Sequence, residues 1–252
     1  LYDSVGGAPT THIAKPDSRL ERYQPSAINE YLCMKLAHDM QLPVPRVHLL
    51  QVPETVYVVE RYDRRIDRAE VICLHQIDAC QLLGVGADWK YERQGGFVSL
   101  AKIINAFRDL KLSGKDLLFV QRWVMFNYLI GNSDAHGKNF SFFVRPGGLL
   151  EPSPWYDLVS VLQYDGFDTE LAMAWGDVFE HEAVSPCALA DFATRSLGIG
   201  YTGGSLLMFA CVLGSLAATV GRFEAIEALI TGRPLDDAVI DETVDAVRSL
   251  IR

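Results

Sequence analysis

Gly131-Asn132-Ser133-Asp134-Ala135-His136-Gly137-Lys138-Asn139-Phe140 is the stretch on which the reading of this chain turns. Before it runs Lys115 to Gly131, where Phe119, Trp123, Val124, Phe126, Tyr128 and Leu129 recur at helical spacing. After it comes Asn139 to Val144, then Arg145-Pro146-Gly147-Gly148, then a further run from Leu149. A strand, a Pro-Gly-Gly turn and a return strand is the natural assignment. Within the stretch, Asp134 and Asn139 stand five residues apart on what must be a short, stiff connection. A carboxylate can accept a proton and an amide oxygen can ligate a hard cation, so the two side chains suit one compact site.

The spacing is that of the kinase catalytic loop, Asp-x-x-x-x-Asn, in which the aspartate takes the proton of the attacking hydroxyl and the asparagine holds magnesium. The return strand leads to Trp155-Tyr156-Asp157, and Asp157 is thereby expected beside the loop as a second metal ligand. Upstream, Thr11-His12-Ile13-Ala14-Lys15 reads as a strand whose lysine can contact nucleotide phosphates, with Glu30 on the following helix as its acidic partner. That helix is expected over Ser26 to Met40, with Ser26 as its cap. Strands are expected over Arg46 to Gln51 and Thr55 to Arg61, the second leading to an interlobe hinge. There the backbone of Glu60, Arg61 and Tyr62 can meet an adenine edge, with the Tyr62 ring on its face. Ser4-Val5-Gly6-Gly7-Ala8 is the candidate phosphate loop.

Taken singly, each piece has a plainer explanation. Asn132 or Asp134 can cap a helix or shape a turn, Gly-Gly is an ordinary turn, and Lys15 alone is a solvated strand-end lysine. The run Glu60-Arg61-Tyr62-Asp63-Arg64-Arg65 is by default an exposed charged connection, and Trp123, Trp155 and Trp175 are by default core. Order and spacing together carry the argument. Composition sets its bounds: 252 residues, 49% hydrophobic and 22% charged, are enough for one large domain or two intimate lobes with a sizeable core. A net charge of −9 argues against binding nucleic acid mainly through phosphate neutralisation. Five scattered cysteines without a Cys-x-x-Cys pair indicate reduced thiols, and neither a zinc site nor a disulfide framework. No membrane span or leader is legible, and a cytoplasmic location is expected.

The same blocks resemble the HipA family, the serine/threonine kinase toxins of bacterial toxin–antitoxin modules. The likeness runs through Ser4 to Ala8, Thr11 to Lys15, Asn29-Glu30, Val59 to Arg64, His75-Gln76-x-Asp78-x-Cys80-Gln81, Lys90-Tyr91-Glu92 with Gly95-Gly96, Asn132 to Ser141, and Tyr156-Asp157. It implies a two-lobed kinase-like fold, which agrees with the patterning of the chain itself: a small mixed α+β lobe over residues 1–62, then a mainly helical lobe over 63–252 whose C-terminal hundred residues read as a helical bundle. It implies Asp134 as catalytic base and Asn139 and Asp157 as Mg2+ ligands. ATP would be bound by Val5, Gly6, Gly7, Ala8, Lys15, Glu60, Arg61, Tyr62, His136, Gly137, Lys138, Asn139, Tyr156 and Asp157. Ser4 resembles the family's autophosphorylation serine. Implied partners are a HipB-like helix-turn-helix antitoxin, an aminoacyl-tRNA synthetase as substrate, and operator DNA reached mainly through the antitoxin. Only Pro9 and Thr10 separate Ala8 from Thr11, so the resemblance implies a mobile loop missing at that point, and the family's N-terminal subdomain is missing too. Ile77 and Phe97 replace an expected Glu and Pro, both tolerable changes.

Two other functions remain open on the sequence. A small-molecule phosphotransferase would use the same base and metal ligands. A pseudokinase would bind nucleotide or antitoxin without turnover, although the intact set Lys15, Asp134, Asn139 and Asp157 argues against it.

Overall fold

The structure, a computed structural model, describes residues 9–184 except 69, 111, 112 and 168, together with residues 188 and 192. The chain opens with a three-stranded antiparallel sheet in the order β1-β3-β2, made of β1 (His12–Pro16), β2 (Val47–Val52) and β3 (Glu54–Glu60). The central strand buries Tyr57, Val58 and Val59 in succession, as a β-branched and aromatic run must when both faces of the strand are covered. Helix α1 (Ser26–Asp39) packs on β2 and β3. It turns Ala27, Glu30, Met34 and Ala37 inward at the three- and four-residue spacing of one helical face. Ser26 does not cap it. The Ser26 hydroxyl accepts from the Ser18 amide at 2.8 Å, and the free first-turn amide of Ala27 goes instead to Asp17 Oδ1 at 2.7 Å. A residue already inside the helix cannot turn its side chain back over the end, so a carboxylate from the β1–α1 connection satisfies that donor.

Two short hairpins and a second sheet follow. Strands β4 (Arg64–Asp67) and β5 (Glu70–Cys73) pair with each other, and β6 (Gln76–Asp78), β7 (Ser141–Val144) and β8 (Leu150–Pro152) form a sheet in the order β6-β7-β8. Asp78 caps the short α2 (Ala79–Leu82) by accepting from the Gln81 amide, while Gln81 Oε1 returns a bond to the Asp78 amide, both at 2.9 Å. Helices α3 (Leu100–Asp109) and α4 (Gly114–Leu129) cover the second sheet, and β9 (Glu170–Trp175) pairs with β10 (Val178–Glu180).

Residues 63–184 therefore depart from the mainly helical reading: three helices share this segment with seven short strands. Short apolar runs such as Leu171 to Trp175, buried in succession, carry no period that separates strand from helix, and pairing with β10 decides them. The remainder of the expected C-terminal bundle lies outside the described residues. Among those described, no helix is long and apolar enough to cross a membrane.

The main core is aromatic. Phe107 meets Phe142 at 5.2 Å between ring centroids, Trp123 meets Phe140 at 5.1 Å, and Phe119 meets Trp155 at 5.6 Å. Edge-to-face pairs of this kind add about 0.5–1.5 kcal/mol each beyond the area they bury. These contacts join α3 and α4 to β7 and to the segment after β8, so both ends of the loop between α4 and β7 are tied to one packed unit.

Candidate active site

The loop after α4 is fixed by groups of several kinds. Gly131 has φ +69°, and a Cβ there would lie 2.7 Å from Leu162 Cδ1, so both backbone conformation and space demand glycine. Asn132 is buried and donates from its amide side chain to Asn127 Oδ1 at 2.7 Å, while Asn127 donates to Trp123 O at 2.8 Å. Asn132 Oδ1 then accepts from the Asp134 amide at 3.2 Å. A ladder of buried amides thus runs from the last turns of α4 to the backbone of Asp134. Ser133 O accepts from Ala172 of β9 at 3.0 Å, which ties the loop to the β9–β10 hairpin.

Asp134 itself is half-exposed at its side chain. Its Oδ1 accepts from the Tyr91 hydroxyl at 2.5 Å. His136, next on the loop, is buried and lies 4.0 Å from Asp134 through Nε2, which is also 2.8 Å from Lys90 Nζ. Burial holds the imidazole below its ordinary pKa, and the Lys90 ammonium adds to this against the pull of Asp134. A neutral ring whose Nε2 accepts a hydrogen bond from the Lys90 ammonium is the arrangement these neighbours favour.

Gly137 sits where a Cβ would come within 2.5 Å of Val98. Lys138 extends to Asp78 Oδ2 at 2.7 Å, binding the loop to the cap of α2. Asn139 is buried, its Oδ1 accepting from the His136 amide at 3.3 Å and its Nδ2 3.5 Å from Asp157 Oδ2.

Asp157 arrives from the other direction. Its neighbours Trp155 and Leu158 are fully buried, and Trp155 N donates to Pro43 O at 2.7 Å, so the segment is pinned on both sides of the aspartate. Asp157 has φ +52°, a left-handed conformation that non-glycine residues seldom adopt. Its Oδ1 lies 2.5 Å from Lys15 Nζ, and the same ammonium contacts Glu30 at 2.8 and 3.0 Å. Lys15 on β1, Glu30 on α1 and Asp157 after β8 therefore meet at one point, drawn from three separate parts of the chain. Burial pulls the lysine pKa down, but the two carboxylates more than offset it and leave it raised. Burial pushes Glu30 up to about 7 in spite of Lys15, with Asp157 adding to the rise.

Two cavities meet at this point, and Lys15 and Glu30 line both. The smaller, about 270 Å³, is walled by Val59, Glu60, Arg61, Tyr62, Tyr156 and Asp157 among others. Tyr62 stacks on Tyr156 at 5.5 Å, and the Tyr156 hydroxyl donates to Lys138 O at 2.5 Å. In the hinge, the amides of Glu60 and Arg61 already donate to Arg46 O and Thr11 O. The buried side-chain oxygen of Gln76, in the same wall, has no hydrogen-bond partner among the described residues. The larger cavity, about 850 Å³, is lined by Asp134, Ser133 and Tyr91 and by Tyr23, Tyr164 and Phe167 among others.

Lys15, Glu60, Arg61, Tyr62, Tyr156 and Asp157 thus line the smaller cavity and Asp134 the larger. His136, Gly137, Lys138 and Asn139 are among the lining residues of neither, and their contacts hold the loop between them. Ser4, Val5, Gly6, Gly7 and Ala8, with the expected gap after Ala8, lie outside the described residues. The charged run after β3 is not the exposed connection its composition suggests. Asp63 is buried, and Arg61 grips it at 3.0 and 2.8 Å while Arg64 holds it at 2.6 Å. Burial would raise this carboxyl, yet the two guanidinium groups outweigh it and hold it below its ordinary value.

Residue chemistry alone also gave no role to Tyr91, Lys90 or the Asn127–Asn132 ladder. For the first two, the only signal was the Lys-Tyr-Glu run, which lies far from Asp134 in the chain.

Residues 2–210 match the family model described as the HipA-like C-terminal domain. The chain is 38% identical over 203 residues to the serine/threonine-protein kinase toxin HipA of Shewanella oneidensis, covering 74% of this chain and 45% of that protein. A putative kinase of Haemophilus influenzae is 28% identical over 174 residues, 65% of this chain and 48% of the relative. The chain thus spans about half the length of these relatives. Among solved structures, the Shewanella oneidensis toxin–antitoxin complex of HipA, HipB and operator DNA superposes with a TM-score of 0.70 at 31% identity, covering 96% of this chain and 57% of that one. The Helicobacter pylori proinflammatory kinase CtkA shares the fold at a TM-score of 0.52 and 12% identity, covering 95% of this chain and 86% of that one. The fold is kinase-like, and the chain belongs to the HipA-like C-terminal domain family.

Proposed function

We propose that this chain is the phosphotransfer region of a serine/threonine protein kinase toxin, moving the γ-phosphate of ATP to a protein hydroxyl. One observation carries the reading. Lys15 bridges Glu30 and Asp157 beside the buried Asn139, while Asp134, on the same short loop as Asn139, opens into the adjoining cavity. A kinase needs a cation for the phosphates, ligands for a metal and a proton acceptor, in that mutual arrangement. The likeness to HipA supports it independently.

The smaller cavity suits the adenine end of the nucleotide. The Tyr62 amide can donate, the Tyr62–Tyr156 pair offers aromatic surface, and the unpartnered Gln76 oxygen can accept from the exocyclic amine. Lys15 would then exchange its carboxylate partners in part for phosphate oxygens. Asn139 and Asp157 bring an amide and a carboxylate together, a donor set that suits magnesium completed by phosphates and water. Bound there, the ion would neutralise charge on the transferring group. The Asn139 amide must rotate to offer its oxygen. In the transfer, the acceptor oxygen bonds to the γ-phosphorus, the bond from that phosphorus to the leaving ADP oxygen breaks, and the acceptor proton passes to Asp134. In this mechanism residues 1–62 supply the phosphate loop and the nucleotide-binding lysine, and residues 63–252 supply the catalytic loop and the metal-binding hairpin.

An aminoacyl-tRNA synthetase as substrate, Ser4 as the self-modified residue, and a HipB-like antitoxin that brings the chain to operator DNA complete the proposal. The acidic balance of the chain, −9, agrees with an antitoxin that supplies the phosphate contacts. Incubation with magnesium and ATP, followed by intact-mass measurement, tests the core of it. The wild type should gain phosphate, and Asp134→Ala should lose about 10²–10⁴-fold in rate while still binding ATP. An equal gain on a folded Asp134→Ala protein would overturn the assignment. A synthetase panel under the same conditions tests the substrate.

A further inference from the structure

The Tyr91 hydroxyl occupies a position on Asp134 Oδ1 that an acceptor hydroxyl could use. It donates to Asp134 Oδ1 at 2.5 Å, which is the interaction an attacking serine or threonine makes with a catalytic base before it gives up its proton. The phenol is not a mobile surface group. Lys90 Nζ lies 4.8 Å from its ring centroid, and the His136 ring meets it edge-on at 5.2 Å. The backbone on either side is tied down: Lys90 O accepts from Gly137 N at 3.1 Å, and Glu92 bonds Ala172 O through its amide and Ala174 N through its side chain. Tyr91 is therefore held against the base by the loop that carries the base and by β9. Burial, reinforced by the Asp134 carboxylate, pushes the phenol above its ordinary pKa, so it remains a donor through the neutral range. Asp134 and Tyr91 both border the cavity of about 850 Å³, which leaves room for a hydroxyl-bearing segment to approach from that side.

We propose that Tyr91 is a stand-in for the acceptor: its hydroxyl keeps Asp134 Oδ1 engaged, in competition with water, until a substrate hydroxyl, entering through the larger cavity, displaces it. A kinase that binds ATP without its substrate must avoid transferring the phosphate to water, and a phenol on the base does this without blocking the nucleotide cavity. Tyr91 is in this sense a specificity-determining residue, discriminating protein hydroxyl from water. The inference rests on Asp134 as base, as argued above.

The test is the rate of ATP hydrolysis with magnesium and ATP alone, no acceptor added, in wild type, Tyr91→Phe, Asp134→Ala and the double variant. Phenylalanine keeps the ring and its contacts with Lys90 and His136 and removes only the hydroxyl. Tyr91→Phe should hydrolyse ATP about 10- to 100-fold faster, the range set by losing one hydrogen bond to a charged group, and the double variant should show no such gain. Unchanged or slower hydrolysis by a folded Tyr91→Phe protein, with wild-type phosphate transfer still dependent on Asp134, would overturn this inference alone. A parallel fall in hydrolysis and self-phosphorylation would also overturn it, since Tyr91 would then be orienting the base. If Asp134→Ala left the wild-type phosphate gain intact, the base assignment would fall and this inference with it.

Discussion

At the scale of single residues, the site is organised by unlike demands on neighbouring carboxylates. Glu30 is almost fully enclosed and shares Lys15 with Asp157, whose side chain is about 45% exposed. Taking a charge out of water is costly, and one ammonium cannot compensate two carboxylates equally. Burial of the more enclosed Glu30 therefore holds its proton up to about pH 7. An isolated glutamate titrates near 4.5, so between about 4.5 and 7 the folded chain retains a proton that the unfolded chain has released. Stability contributed by this group is then full below that window and is lost as pH rises through it. In Glu30→Gln that slope should disappear. Urea midpoints at pH 5.5, 6.5 and 7.5 check it, and parallel wild-type and variant curves would show that Glu30 is not held neutral by burial. The left-handed backbone at Asp157 belongs to the same scale: a residue held at φ +52° between two buried neighbours is fixed in direction before any ligand arrives.

At the scale of elements, the turn from α4 into the loop decides where Asp134 points. The helix ends at Leu129, Gly131 O accepts from Val161 and Leu162, and the Asn127–Asn132 ladder continues the helix's bonding into the loop. Gly131 is the point at which this cannot be rebuilt with another residue. Gly131→Ala should cost about 1–3 kcal/mol through the left-handed backbone alone, and the displaced Leu162 should add to it. A lower denaturation midpoint accompanied by reduced phosphate transfer is expected, measured on the same preparation. Full transfer from a destabilised protein would place the loop's order elsewhere. The capping of α2 by Asp78 works in the same way, since Asp78 also receives Lys138 and so couples a short helix to the loop.

At the scale of the whole molecule, the proposed nucleotide site lies where the first sheet, α1 and the β6-β7-β8 unit converge. Lys15 and Asp157 are 142 positions apart in sequence and in direct contact. A ligand that bridges them must stabilise the packing of these units as well as its own site. Magnesium with ATP at a hundredfold excess over its Kd should add about 2.7 kcal/mol, or roughly 5–10 °C in Tm for a chain of this size. In Asp157→Ala the increment due to magnesium should vanish, with at most a smaller, metal-independent shift left from ATP. Thermal unfolding with ATP, magnesium and both together reads this directly. An identical metal-dependent shift in the variant would remove Asp157 from the metal site.

The local elements and the order of the site were legible in the chain itself. The helix before Gly131, the Pro-Gly-Gly turn and the strand pair around it follow from periodicity and turn chemistry, which act over a few residues and leave their mark in composition. The pairing of Lys15 with Glu30 was also legible, because a strand-end lysine and an acid on the next helix face are close under almost any packing of those two elements. The cap of α1 was not, because Asp17 reaches Ala27 only once the preceding connection has folded back. Nor were the buried Asp63 with its two arginines, the β9–β10 hairpin, or the phenol on Asp134. Asp63 and Tyr91 sit in stretches of ordinary surface composition, and only packing gives them a partner or a cost, while the apolar run of β9 has no alternation to mark it as a strand. The sequence by itself determined which side chains are present and in what order along the chain. The tertiary structure alone decided which of those groups share a proton, because that depends on distances that no local rule sets.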